Sequence, residues 1–394
     1  MSRRRGVIAG CALGATSGWN FGNIGGIASE LSDAYGVGLA TIGLLTTALV
    51  ITHLAIQIPG GRSSDRFGPA RVGAAALLVL SAGNALALAA PEVALALPAR
   101  AFAGIGTGLA FISGSALVRQ SGGSPLAQGV FGGVSLAPGG LALAVVPQLE
   151  ELVGWRAPYW SALLIALAVL MLVLGTRVAA RPTSTPEAST GASVGVIGDR
   201  RLYRLAALYA ASYGLGIVLA NWVVELLQVH SSMTDGAAAA VGALTLALVV
   251  VSRPLGGWIL SRYPLRTRQA LGLSIVAGAI GTLALVAADP VWLAALGAVL
   301  VGLGAGIPFS PAFTGAASTR PDAPGAAVGL VNTAANLVVL VGTPLVGLSF
   351  SLDGEGRLGF AALAALWLAA LAVLPSARAL AAEPVSARRT AVSP

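Results

Sequence analysis

Of the chain's 394 residues, 56 % are apolar and only 10 % charged, against roughly 25 % charged in a soluble domain, and mean hydropathy is +0.85. That composition argues against a soluble globular protein and for a helical bundle embedded in a bilayer. The formal net charge of +8 rests on 23 basic residues, all arginine, which lie between apolar runs and form no continuous face, so nucleic acid is not an expected partner.

Twelve stretches are long enough to cross a hydrocarbon layer, which takes roughly 20 residues at 1.5 Å each. In chain order they are 7–29, 39–59, 72–90, 93–118, 126–149 and 157–176, then 202–228, 236–260, 268–288, 291–316, 325–350 and 358–375. The first is preceded by "SRRR", and "IAGC" ending at Cys11 resembles a lipoprotein cleavage box. Only five residues separate Arg5 from Cys11, too few for a signal-peptide core of about 7 to 15, so Cys11 is read as packing. As the sole cysteine it also argues against an intramolecular disulfide or a multi-cysteine metal site. No cofactor or metal is expected.

Between Arg177 and Arg201, "RVAARPTSTPEASTGASVGVIGDR" is the longest polar stretch and reads as a flexible linker. The expected organisation is therefore a six-helix bundle over 1–176, a linker over 177–201, a second six-helix bundle over 202–376 and a tail over 377–394. With these spans, nineteen arginines fall on one side of the membrane and two, Arg156 and Arg357, on the other. That positive-inside bias places both termini in the cytoplasm.

The halves repeat one another. "IQIPGGRSSDRFG" begins at Ile56 and "SRPLGGWILSRYP" at Ser252, an offset of 196, while Gly104, Gly106 and Gly108 of the fourth span match Gly302, Gly304 and Gly306 of the tenth at 198. The loop after the second span carries a Gly, three residues, Asp, a base, any residue, Gly and a later base, met by Gly61, Asp65, Arg66, Gly68 and Arg71. With "RAFAGIGTGLAF" from Arg100 and "GGVSLAPGGLALAVVP" followed by "GWRAPYW", nearly the whole chain resembles the major facilitator superfamily. The second copy of the loop departs from the pattern, with Ser261 where Asp65 stands and Pro264 where Gly68 stands.

The resemblance implies an all-α integral membrane protein of twelve helices in two pseudo-symmetric bundles. It also implies alternating access, in which the bundles rock about a site near the bilayer midplane. Asp65, Arg66 and Arg71 are then the expected cytoplasmic gate, and Arg100, inside its span, is expected to act in coupling or gating.

Depth selects the site. Arg253 lies nine residues from Arg262, about 13 Å into the eighth span, where an unpaired arginine costs at least ~2.5 kcal/mol unless it meets water, a partner or a ligand. A planar guanidinium fork suits a small anion. The equivalent position in the second span is Gln57, with His53 one turn earlier. Asn332 and Asn336 share a face of the eleventh span at similar height, and Tyr213 and Trp222 are further expected lining residues. The nitrate/nitrite porters place an arginine at both equivalent positions, and "RPLGGW" at Arg253 resembles their second copy, but Gln57 replaces the first. A single arginine in the eighth span is closer to cyanate-type and oxalate/formate-type transporters, although no lysine matches the second base of the latter. Titratable groups for proton coupling are His53 and Glu225, the latter near the outer surface.

The function read from the sequence is thus secondary active transport of a small anion, such as an inorganic oxyanion, a cyanate-like ion or a small carboxylate, across a bacterial-type inner membrane. Proton coupling, lipid contact and a monomeric state accompany that reading. A proton-driven drug or metabolite exporter is the alternative, on the strength of "SLAPGG" in the fifth span, and a non-transporting receptor is a lesser one. An intramembrane enzyme is disfavoured, because the only histidines are His53 and His230 and no His-Glu-x-x-His motif occurs.

Overall fold

A computed structural model describes residues 3–175 and 195–376; most of the linker and the whole C-terminal tail lie outside the described residues. In the first half the helices are α1 (Arg3–Gly22), the short α2 (Ala28–Tyr35), α3 (Leu39–Phe67), α4 (Pro69–Ala87), α5 (Val93–Gln120), α6 (Pro125–Val153) and α7 (Ala157–Gly175). The second half begins with α8 (Arg200–Tyr209), a π-helical turn (Ala210–Gly214) and α9 (Leu215–His230). It continues with α10 (Asp235–Arg262), α11 (Thr267–Ala287), α12 (Val291–Gly306), α13 (Phe309–Thr319), α14 (Pro324–Ser349) and α15 (Arg357–Ala369).

Nine helical stretches among the described residues are long and apolar enough to cross a membrane. One of them, Pro125–Gly175, is 51 residues long and is folded in two at Gly154, where φ is +63°. With Arg3–Gly22 and the shorter apolar Arg357–Val373, the count reaches twelve crossings in two groups of six.

Three spans are less regular than the periodicity suggests. The first ends its α-helix at Gly22 and continues through a 3-10 turn at Gly25–Ile27, because the Gly-rich segment there has little helical propensity. The tenth breaks between Gly306 and Phe309 at Pro308, which cannot donate to an α-helical ladder. The seventh stays helical but widens into the π turn.

The loop signature has a geometric cause. Gly68 sits at φ +87°, a region disfavoured for residues with a Cβ, and Pro69 starts α4 with its fixed φ. In the second half Tyr263 closes α10 at φ −134° and a 3-10 turn, Pro264–Arg266, makes the connection. A different turn removes the need for glycine there.

The two halves meet through two helix pairs, α3 with α14 and α6 with α10, and glycine sets the separation in both. A Cβ on Gly61 would fall 2.3 Å from the Gly325 carbonyl oxygen, and one on Gly257 would fall 2.2 Å from that of Pro125. Deeper in, a Cβ on Gly329 would fall 2.4 Å from the Gln57 carbonyl oxygen, and one on Gly129 would fall 2.4 Å from that of Arg253. Pairs 61/325 and 257/125, and 57/329 and 253/129, are symmetry mates. Toward the opposite end Gly43 and Gly140 have open space around them. The bundle is closed at the end bearing Arg66 and Arg262.

Candidate functional site

Arg253 is 2 % exposed, on the turn of α10 where Pro254 interrupts the ladder. Its Nη1 donates to the Gly132 carbonyl on α6 at 2.6 Å, a bond between the two halves, and Nη2 donates to the Tyr209 hydroxyl at 3.4 Å. The guanidinium carbon lies 4.7 Å above the Tyr213 ring and 4.6 Å above the Phe309 ring, so two aromatic quadrupoles contribute where water is excluded. No carboxylate pairs with it among the described residues, and its Nε is buried without a hydrogen-bond partner.

The π turn brings the seventh span to this point. Tyr209 and Tyr213 stack at 5.2 Å with planes 8° apart, and Gly214 lets the turn lie against Ala335 and Val338 of α14. Gly132 does the same for Phe309: a Cβ there would meet the Phe309 ring at 2.3 Å.

His53 and Gln57 are buried together on α3. His53 Nδ1 lies 3.0 Å from Thr107 Oγ1, and His53 Nε2 lies 2.7 Å from Gln57 Nε2. Phe111 joins this pair to the arginine's aromatic surround, with its ring 6.3 Å from His53 and 6.0 Å from Phe313, which is in turn 5.2 Å from Tyr209. Asn332 is buried on α14 one turn beyond Gly329, and its carbonyl accepts from Asn336 Nδ2 at 2.8 Å. The structure thus gathers Arg253 and Tyr213 on one side, and His53 and Gln57 on the other, of an aromatic cluster.

Other expected lining and coupling residues lie apart. Trp222 donates to the Thr343 carbonyl at 2.8 Å, nine residues and about 14 Å along the seventh span from Tyr213. Glu225 is exposed one turn further on. Arg100 is 1 % exposed and donates to Asn23 Oδ1 at 3.3 Å and the Asn20 carbonyl at 2.8 Å. These contacts lie wholly within the first half, so they tie span four to span one.

At the closed end Asp65, 3 % exposed, accepts from Gly325 N–H through Oδ1 at 2.9 Å and from Ala326 N–H through Oδ2 at 3.1 Å. A carboxylate at a helix N-terminus satisfies orphan donors and complements the dipole. Arg66 and Arg71 are exposed, Arg66 over its neighbour Phe67 at 4.9 Å; of the expected gate only Asp65 reaches the other half.

Sequence reasoning passed over Tyr209, Phe309, Phe313, Phe111 and Thr107. A signal existed: in a chain with only 6 % aromatic residues, Tyr209/Tyr213 and Phe309/Phe313 are two aromatic pairs at i, i+4, the spacing that shares a helix face.

The sequence matches the Major Facilitator Superfamily over residues 10–343. The chain belongs to the major facilitator superfamily. As such it is a multi-pass membrane protein of a transporter family. No curated protein matches its sequence, whereas solved structures share its fold. The E. coli fucose:proton symporter superposes with a TM-score of 0.74 at 16 % identity, covering 97 % of this chain and 100 % of the symporter. The human organic anion transporter MFSD10 gives 0.73 at 17 % identity, covering 95 % and 100 %. A proton:xylose symporter gives 0.70 at 14 % identity over 94 % of each chain.

Proposed function

We propose that this superfamily member is a secondary active transporter for a small anion, working as a monomer by alternating access, with Arg253 as the main anion contact. The observation that carries the reading is a buried guanidinium at mid-span with no acidic partner, an unpartnered Nε and a bond to Gly132 of the other half. Arg100, also buried, without an acidic partner and with its Nε likewise unpartnered, has all its hydrogen bonds inside one half, which suits a structural tie; the bond across the halves is what sets Arg253 apart. Asp65 gates the arginine-rich side, taken as cytoplasmic by the positive-inside rule. The closed end described above then makes this the outward-facing arrangement.

Inorganic oxyanions, cyanate-like ions and small carboxylates all fit the guanidinium edge. Proton coupling is assigned to His53, where an arriving proton would compete with the Gln57 amide for the Nε2 lone pair. A cleft lined by Arg5, Ile8, Met171 and Leu172 on the outer face of spans one and six suits a lipid chain with its headgroup at Arg5.

The test is uptake of labelled anions into vesicles with an imposed pH gradient, comparing wild type with Arg253→Ala. Accumulation in wild type that is lost in the variant supports the proposal. A folded Arg253→Ala protein that transports normally would sink it and favour the drug or metabolite exporter.

A further inference from the structure

Of nine buried side-chain polar atoms without a hydrogen-bond partner among the described residues, two belong to residues at equivalent positions of the repeat: Arg253 Nε and Gln57 Oε1. Their chemistry is opposite, since a guanidinium can only donate and an amide oxygen can only accept. A chain of bonds sets the polarity of the Gln57 end. We assign the Thr107 hydroxyl proton to the Gly104 carbonyl, 2.9 Å away, and Thr107 Oγ1 then accepts from His53 Nδ1–H at 3.0 Å. His53 Nε2 then holds a lone pair, which accepts from Gln57 Nε2 at 2.7 Å. Reversing the amide would set an oxygen lone pair against a nitrogen lone pair. Oε1 is therefore left as the acceptor.

These two side chains sit at equivalent positions of the repeat, each with its carbonyl against a glycine of the opposite half, Gly329 for Gln57 and Gly129 for Arg253. Aromatic rings connect them. Phe111 comes from the first half and Phe313 from the second, 6.0 Å apart and edge to face, with His53 beyond one and Tyr209 beyond the other.

From this arrangement the geometry points to a narrower substrate class: a flat, aromatic carboxylate bearing a hydrogen-bond donor at the end remote from the carboxylate. The inference rests on Arg253 being the anion contact. Nε and Nη2, whose one protein bond is the long 3.4 Å contact to Tyr209, form the edge for the carboxylate. Phe111 and Phe313 take the flat body, and Gln57 Oε1 takes the donor. An inorganic oxyanion satisfies the arginine end alone, leaves the buried acceptor unpaired and gains nothing from the rings.

Full-length protein in detergent can be titrated calorimetrically with benzoate, 4-hydroxybenzoate, 4-aminobenzoate, formate and nitrate. The two donor-bearing acids should bind roughly tenfold more tightly than benzoate, the worth of one buried hydrogen bond, and formate and nitrate more weakly than benzoate. Gln57→Leu, and independently Gln57→Met, should bring the hydroxybenzoate-to-benzoate ratio to about one, a ratio that a general loss of packing would not move. Phe111→Leu should weaken all three aromatic acids together and keep the ratio. Nitrate or formate binding as tightly as 4-hydroxybenzoate, and lost in Arg253→Ala, would overturn the substrate class while the anion reading stands; an unchanged ratio in both Gln57 variants would overturn it as well. Anion binding that survives Arg253→Ala would overturn the anion reading itself, and this inference with it.

Discussion

Asp65 and Ser261 occupy equivalent positions, and the residues facing them explain why only one is charged. Across from Asp65 stands Gly325, whose N–H the carboxylate accepts; across from Ser261 stands Pro125, which has no N–H to offer. Ser261 instead donates to its own helix at Gly257, and Ser310 donates to the Pro125 carbonyl at 2.6 Å. The carboxylate contact between the halves is one-sided for that reason. Asp65→Asn removes the charge from bonds worth about 1.5–3 kcal/mol in total, enough to shift the closed-to-open ratio roughly tenfold. Transport turnover in proteoliposomes should fall while substrate affinity stays within a few-fold, and wild-type turnover would reduce Asp65 to a topology charge. At the site, Arg253→Lys should restore only part of the binding lost in Arg253→Ala, because an ammonium keeps the charge and loses the planar edge; equilibrium binding of a labelled anion measures this. Outside the spans, a hydrogen bond from Arg320 holds the Asp322 carboxyl below its ordinary range. A depressed carboxyl contributes stability above its unfolded pKa, near 4, and loses it as pH falls through the lower folded value. Asp322 is exposed and Arg320 half-buried, so the pair is worth at most about 1 kcal/mol. Asp322→Asn should therefore leave the pH dependence of melting temperature unchanged between roughly pH 6 and 8.

Among the helices, contact between halves depends on α3 and α14, and on α6 and α10, approaching with glycine at the crossing. The Cβ that Gly61→Ala would add meets Gly325 backbone oxygen and carbon at 2.3 and 2.4 Å, and Gly257→Ala meets Pro125 oxygen at 2.2 Å. Backbone atoms cannot swing aside as a flexible side chain does, so the cost falls on the closed arrangement of that end and spares the open one. Either substitution should raise reactivity of a cysteine introduced at Ser64, buried beside the gate, toward a membrane-impermeant thiol reagent applied from that side. Unchanged labelling would mean that the crossings are not what closes the end. The second copy of the loop illustrates how far pattern reaches: "RYP" shows that the turn differs from "RFGPAR", whereas the 3-10 geometry that replaces Gly68 depends on the exit angle of α10.

At the scale of the whole molecule, the arginine-rich loops lie at the end where Asp65 and the glycine crossings join the halves. Under the proposed topology, in which the positive-inside bias assigns that tail to the cytoplasm, an alkaline phosphatase fusion at the C-terminus should be inactive and a fluorescent-protein fusion there bright. Fusion after Arg357, on the arginine-poor side, should show the reverse. Bright alkaline phosphatase activity from the C-terminal fusion would invert the topology, and with it the outward-facing assignment.

Hydropathy and the 196-residue offset were enough to expect the helical spans in two groups of six, with Asp65 and Arg253 among them, because each follows from local composition or from one-dimensional periodicity. Depth along a helix is also linear in residue number, so Arg253, Gln57 and His53 could be ranked by counting. What surrounds them could not. The π turn rotates Tyr213 out of ordinary helical register, Gly132 admits Phe309 to the arginine, and Thr107, fifty-four residues from His53, sets the orientation of the Gln57 amide. Those relations are distances between segments remote in sequence, and only the packing of the two bundles determines them.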